Sequence, residues 1–116
     1  MPSETRYRVA DIAEIEPSKC PCGMSRRAFT DDPDQIASLH VVDTQGEARM
    51  HYHKKLTEIY YILEGEGEME LDGETYLVKP GMTILIKPLC RHRLKGNMKF
   101  LNVPVPAFDP HDEWFD

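Results

Sequence analysis

The chain has 116 residues, enough for one domain around a single core and too few for two. Its apolar fraction of 41% and charged fraction of 29% are those of an ordinary soluble globular protein. Twenty acidic against 14 basic residues give a net charge of -6, which works against non-specific nucleic-acid binding because that depends on neutralising phosphates with Lys and Arg.

No apolar run approaches the roughly 18 residues of a membrane-spanning helix, and the first residues lack the apolar core of a secretory signal. Neither a membrane nor a nucleic acid is therefore an expected partner, and the cytoplasm is the expected compartment. The three cysteines, Cys20, Cys22 and Cys90, are an odd number without a secretory context, which fits reduced thiols better than a disulfide framework. Cys20 and Cys22 are spaced too tightly for a zinc ribbon and read as loop residues. Cys90 lies two residues before His92 and could share its face.

In chain order, residues 1–37 read as an irregular arm. Pro2, Pro17, Pro21 and Pro33 interrupt it, residues 31–34 spell a turn, and an amphipathic piece at 9–15 is weak. Arg26 and Arg27 suggest no role there beyond a subunit contact. From residue 38 the texture changes to short apolar runs at 38–43, 58–63, 68–72, 75–78, 83–86, 91–95 and 99–103. Glycine- and proline-marked turns separate them, and Asp72-Gly73 supplies the two positive-φ positions of a tight hairpin. Strands of about five residues at this spacing predict an all-β sandwich or barrel over 38–103. The tail, 104–116, is acidic and broken by proline, yet carries Phe108, Trp114 and Phe115. Such aromatics rarely stay solvated, so the tail is expected to pack on the barrel or on a partner subunit.

The chemistry concentrates at His51-Tyr52-His53, with Glu58 and Gly65 following and His92 closing a later segment. Alternate residues of a strand share a face, so His51 and His53 project together. Imidazoles with a carboxylate are a ligand set that borderline divalent metals prefer.

These residues resemble the cupin superfamily, in particular its small single-domain members. His51, His53, Glu58, Gly65 and the Tyr60–Gly65 close match the first cupin motif, with Gly46 standing one residue nearer to His51 than the pattern has it. Gly81 and His92 keep the separation of the second motif. Lys87 stands at its proline, Leu89 at its second glycine, and Asn97 one residue late, which predicts a different turn into the His92 strand. The resemblance implies a double-stranded β-helical jelly-roll barrel with a metal in its mouth, held by His51, His53, Glu58 and His92. Three nitrogens and one oxygen leave two positions open on an octahedral ion. Mn²⁺ or Fe²⁺ is expected first, with Ni²⁺, Co²⁺ and Zn²⁺ open.

If Glu58 faces inward, alternation turns Tyr60 and Ile62 inward and Ile59, Tyr61 and Leu63 outward. Tyr60 then either orients substrate through its hydroxyl or is a core aromatic. Arg49 either points into the mouth, where it would favour an anionic substrate, or lies on the surface. His40 could enter the pocket, though a packed or solvent-facing position is the commoner fate, and His111 is expected to be exposed. The apolar outer face and the resemblance together imply a homodimer. The function expected is a small metalloenzyme, dioxygenase-type or isomerase-type, acting on a small oxygen-rich or anionic molecule. The alternative is a non-catalytic cupin that binds a sugar or metabolite.

Overall fold

The structure is a computed structural model, and it describes residues 6–20 and 23–116. The expectations for Pro2, Pro21 and Cys22 lie outside the described residues. Among the described residues nine strands form, in the order β1 Ser18–Cys20, β2 Gly23–Ala28, β3 Leu39–Thr44, β4 Thr57–Gly65, β5 Gly67–Leu71, β6 Glu74–Val78, β7 Thr83–Ile86, β8 His92–Lys95 and β9 Met98–Val105. Six of them make one antiparallel sheet in the order β1-β2-β3-β9-β4-β7, and the other three make a second sheet, β6-β5-β8. Among the described residues, helix is confined to two single turns of 3-10 geometry, at Ile12–Glu14 and Pro110–Asp112. No helix among them is long and apolar enough to cross a membrane.

The alternation read from the sequence sets which side chains meet between the sheets. In β4 the residues Glu58, Tyr60 and Ile62 are buried while Ile59 and Tyr61 are exposed. In β9 Met98, Phe100, Asn102 and Pro104 are buried in turn. Val42, Tyr60, Ile62 and Phe100 from the larger sheet pack against Met69, Val78 and Leu94 from the smaller one. Asp72 and Gly73 take φ of 48° and 87°, the mirror-image turn that joins β5 to β6.

The N-terminal arm is not irregular throughout. Its β2 pairs with β3 from Gly23 opposite Thr44 to Ala28 opposite Leu39, and β1 extends the sheet beyond it. Arg26 ties the preceding turn down, with Nη1 donating to the carbonyls of Ala13 (3.1 Å) and Ile15 (2.6 Å). Gly-Met-Ser-Arg-Arg-Ala has no apolar alternation because its inward residues, Ser25 and Arg27, face a polar cavity rather than the core.

The tail packs back on its own barrel. Tyr52 and Trp114 exchange backbone hydrogen bonds of 3.0 and 2.9 Å. The buried Asp112 carboxylate accepts the backbone N–H groups of Lys54 (2.9 Å), Lys55 (2.9 Å) and Leu56 (3.1 Å), together with Trp114 Nε1 (3.2 Å).

Candidate metal centre

His51 and His92 come from the two distant motifs and are joined by a β-bridge. The N–H of each donates to the carbonyl of the other, at 3.2 and 3.0 Å. Tyr52 bridges to Trp114 on the opposite side, so the chain is held extended through His51 and Tyr52 by two isolated bridges rather than by a regular strand. That extension puts the His51 and His53 rings on one side, with centroids 5.3 Å apart, and places His92 4.3 Å from His51 and 5.6 Å from His53. A ligand nitrogen from each of the three lies within 4.8 Å of the others. Glu58, from β4, brings Oε1 to 3.1 Å from His53 Nε2 and 3.2 Å from His92 Nε2. All four side chains are buried, His92 completely.

The outer hydrogen bonds decide how these groups are presented. His51 Nδ1 lies 3.0 Å from the Arg49 carbonyl, His53 Nδ1 2.7 Å from that of Asp112 and His92 Nδ1 2.9 Å from that of Cys90. A carbonyl only accepts, so each Nδ1 carries the proton and each neutral imidazole offers an Nε2 lone pair. Asn102 Nδ2 donates to Glu58 Oε2 at 2.7 Å, which leaves Oε1 for the histidines. His53 Nε2, His92 Nε2 and Glu58 Oε1 are buried and have no hydrogen-bond partner of acceptable geometry. The cluster is thus rich in lone pairs and poor in donors, an arrangement that a cation relieves.

The titration of the set follows from the same contacts. Burial pushes the Glu58 carboxyl up, but the adjoining His53 and His92 imidazoles outweigh it and hold it well below the usual carboxylate range. Burial, helped by nearby His92, pushes His51 down to about 4. His53 goes the other way, because Glu58 beside it overcomes its burial and raises it.

Beside the cluster lies a cavity of about 30 Å³ lined by Tyr60, His40, Arg27, Asn102 and Glu113 among others. Larger hollows exist, such as one between Glu66 and Met82, but they gather no such convergence of donor atoms. Tyr60 is both wall and core, its ring 6.1 Å from that of His92 and 4.4 Å from that of Phe100. His40 is buried, packs edge-on against Phe108 at 5.4 Å and lines the cavity. Arg49 does not face the site. Its side chain is exposed and stacks over Phe115 at 3.9 Å, so only its carbonyl serves the centre. The cation in the cavity wall is Arg27, on a strand with no apolar alternation to reveal which way it faces. Asn102 was legible in principle, as the one polar side chain in the otherwise apolar buried row of β9.

The turn into His92 keeps its shape despite the missing glycine. Leu89 has φ of 74°, the left-handed conformation that glycine adopts without strain, and its N–H donates to the His53 carbonyl at 2.7 Å. Cys90 offers its carbonyl to His92, while its thiol lies over the Arg91 carbonyl at 3.7 Å.

A solved structure of a protein from Planctomyces limnophilus superposes with a TM-score of 0.91 at 38% identity, covering 97% of this chain and 100% of that one. An uncharacterised protein of Methanocaldococcus jannaschii is 40% identical over 76 residues, 62% of this chain, and the match spans only 61% of that relative's length. The L-ectoine synthase of Vibrio atlanticus is 30% identical over 100 residues, 77% of each chain. The family model described as the cupin domain matches residues 38–104, more than half of the sequence and all but the last residue of the stretch from β3 to β9. With that match over more than half its length and its two-sheet antiparallel barrel, this chain belongs to the cupin family.

Proposed function

We propose that this cupin holds one divalent transition metal on His51, His53, His92 and Glu58, and that it is a small metalloenzyme acting on an oxygen-rich or anionic molecule. The observation that carries the reading is the meeting of imidazole lone pairs and a carboxylate oxygen in a buried place with no donor among them. That donor set fits Mn²⁺ or Fe²⁺ first, with Ni²⁺, Co²⁺ and Zn²⁺ behind. When bound, such an ion supplies Lewis acidity or a platform for dioxygen. The existence of a synthase among the relatives supports catalysis over simple binding.

The chain's own residues divide the remaining work. Asn102 fixes the Glu58 carboxylate, and the carbonyls of Arg49, Asp112 and Cys90 fix the three rings. Tyr60 forms the wall against which substrate is oriented. Glu113, whose carboxyl burial pushes up, is placed in the same cavity to hold a proton. The test is elemental analysis of the purified protein, followed by oxygen uptake of the Fe²⁺-loaded form with candidate acids, diketones and thiols. Near-stoichiometric metal is expected, and purified protein that neither carries nor takes up a divalent ion refutes the reading. Metal without oxygen uptake selects isomerase-type chemistry or a binding role over oxygenase chemistry.

We also propose a homodimer. Ile59, Tyr61, Leu85 and Val105 are 43%, 43%, 60% and 45% exposed on the outer face of the larger sheet. Ile59 stands opposite Leu85 on one side and Val103 on the other, so the apolar surface is continuous across three strands. Light scattering is expected to give twice the mass of the chain, and Leu85→Lys to give the monomer. A monomeric wild type would remove the dimer from this account.

A further inference from the structure

The concave face of the larger sheet carries one polar row across four strands. Arg27 of β2 stands opposite His40 of β3, His40 opposite Asn102 of β9, and Asn102 opposite Tyr60 of β4. The neighbouring row, Ser25, Val42, Phe100 and Ile62, is apolar but for Ser25.

Two members of the row offer bonding capacity toward the cavity. Asn102 is 7% exposed, and with its amide nitrogen committed to Glu58 its Oδ1 is buried with no partner. Arg27 donates Nε to Ser25 Oγ at 2.8 Å and lays its guanidinium over Phe108 at 4.6 Å. It makes no ion pair among the described residues, although the chain carries a net charge of -6. The Glu113 carboxyl of the same cavity feels its charge without bonding to it, and a half-buried guanidinium that no carboxylate pairs is poised for an anion from outside.

Arg27 and Phe108 also line a second, outer groove with Glu16, Ser18 and Thr30. The inner cavity, about 30 Å³, has room for a water or two, or for one hydroxyl or amino group of a larger molecule. The outer groove, about 390 Å³, has the size of a small-molecule site. The stacked pair therefore stands between a groove large enough for an organic molecule and the histidine cluster.

We infer that groove and cavity form one bipartite site for a small carboxylate that also bears a hydroxyl or amino group, with Arg27 binding the carboxylate and Asn102 Oδ1 accepting from the hydroxyl or amine beside the histidines. Arg27 and Asn102 are two strands apart, about 10 Å between Cα atoms. The long arginine side chain spans part of that distance, so carboxylate and donor group are separated by only a few bonds. Phe108 moves aside as the guanidinium exchanges its ring for the carboxylate. This rests on the proposed metal centre for its chemistry but not for its anion binding.

The experiment is calorimetric titration of the Mn²⁺-loaded protein near neutral pH with glycerate, propionate and glycerol, repeated on Arg27→Gln and Arg27→Lys, with metal content measured on every sample. Glycerate is expected to bind at least about tenfold more tightly than propionate, which lacks the donor, or glycerol, which lacks the anion. Arg27→Gln is expected to lose about tenfold or more of the glycerate affinity at unchanged metal content, and Arg27→Lys to fall between, keeping charge without the fork. Equal glycerate affinity in wild type and Arg27→Gln, or no saturable binding of glycerate, overturns the inference. Protein that binds no Mn²⁺ yet still prefers glycerate in an Arg27-dependent way upholds this site and removes the metal centre. Full metal with no Arg27 dependence does the reverse.

Discussion

Replacing His92 with alanine is expected to abolish stable metal retention. His92 is the most deeply buried of the three histidines, and it touches both other elements of the set, through its bridge to His51 and its 3.2 Å approach to Glu58. Without it two imidazoles and a carboxylate remain, and Glu58 is left buried with one charge-relieving neighbour fewer. Loss of an outer hydrogen-bond partner at metal sites costs about 10–100-fold in affinity, and loss of a direct ligand should exceed that. Competition with a chromophoric chelator measures the difference, and His111→Ala, at an exposed residue of the tail, serves as the unchanged control. Protons should act as a graded version of the same substitution. A histidine nitrogen binds a metal only after losing its proton, so the group whose pKa is raised feels the competition first. That group is His53, and metal affinity is expected to be full above its raised pKa and to fall by about tenfold per pH unit below it. His51, pushed down to about 4, joins only in strong acid. Metal retention that stayed flat between about pH 8 and pH 5 would be incompatible with imidazole ligands.

What could be read from the sequence was what has a period. Strands β3 to β9 announce themselves as short runs between glycine- and proline-marked turns, and in β4 and β9 every second residue is buried. The histidine cluster is legible for the same reason, since a spacing of two in an extended chain fixes a common side. The β1–β2 pair escaped because Ser25 and Arg27 face a polar cavity, so the inward residues of β2 carry no apolar signal. Leu89 escaped because a left-handed backbone is normally announced by glycine, and here the bond from its N–H to the His53 carbonyl holds a leucine in that shape. Arg49 was open to either side because the chain before His51 is not a regular strand, and Phe115 of the tail offers its guanidinium a ring on the exposed side. The ties that orient the three rings were beyond reach for a simpler reason. They are backbone carbonyls, which every residue possesses.

The tail offers the largest stability effect. Asp112→Ala is expected to lower unfolding stability by about 2–4 kcal/mol, because four charge-assisted hydrogen bonds end on that carboxylate and the Leu56 N–H is buried without it. For a domain of this size that is a fall in Tm of roughly 10–20 °C. Since the Asp112 carbonyl also holds His53 Nδ1, release of the tail should weaken metal binding by about 10–100-fold even though no ligand is removed. Trp114, the single tryptophan, reports the release directly, because its indole N–H is bound to Asp112 and Lys54 Nζ lies 3.5 Å from its ring centre. Burial pushes the Asp112 carboxyl up, but the three backbone N–H groups override it and leave it lowered from 3.8. A depressed carboxylate stabilises fully above its unfolded pKa and ceases to do so as pH falls through the folded one. The gap in Tm between wild type and variant should therefore be complete near neutral pH and close below about pH 4. Asp112→Asn, which keeps the shape and one acceptor but no charge, should fall between the two. A variant that melted with the wild type and kept its tryptophan emission would show that the tail is held by its aromatic contacts instead, and that His53 needs no help from Asp112 to find its place.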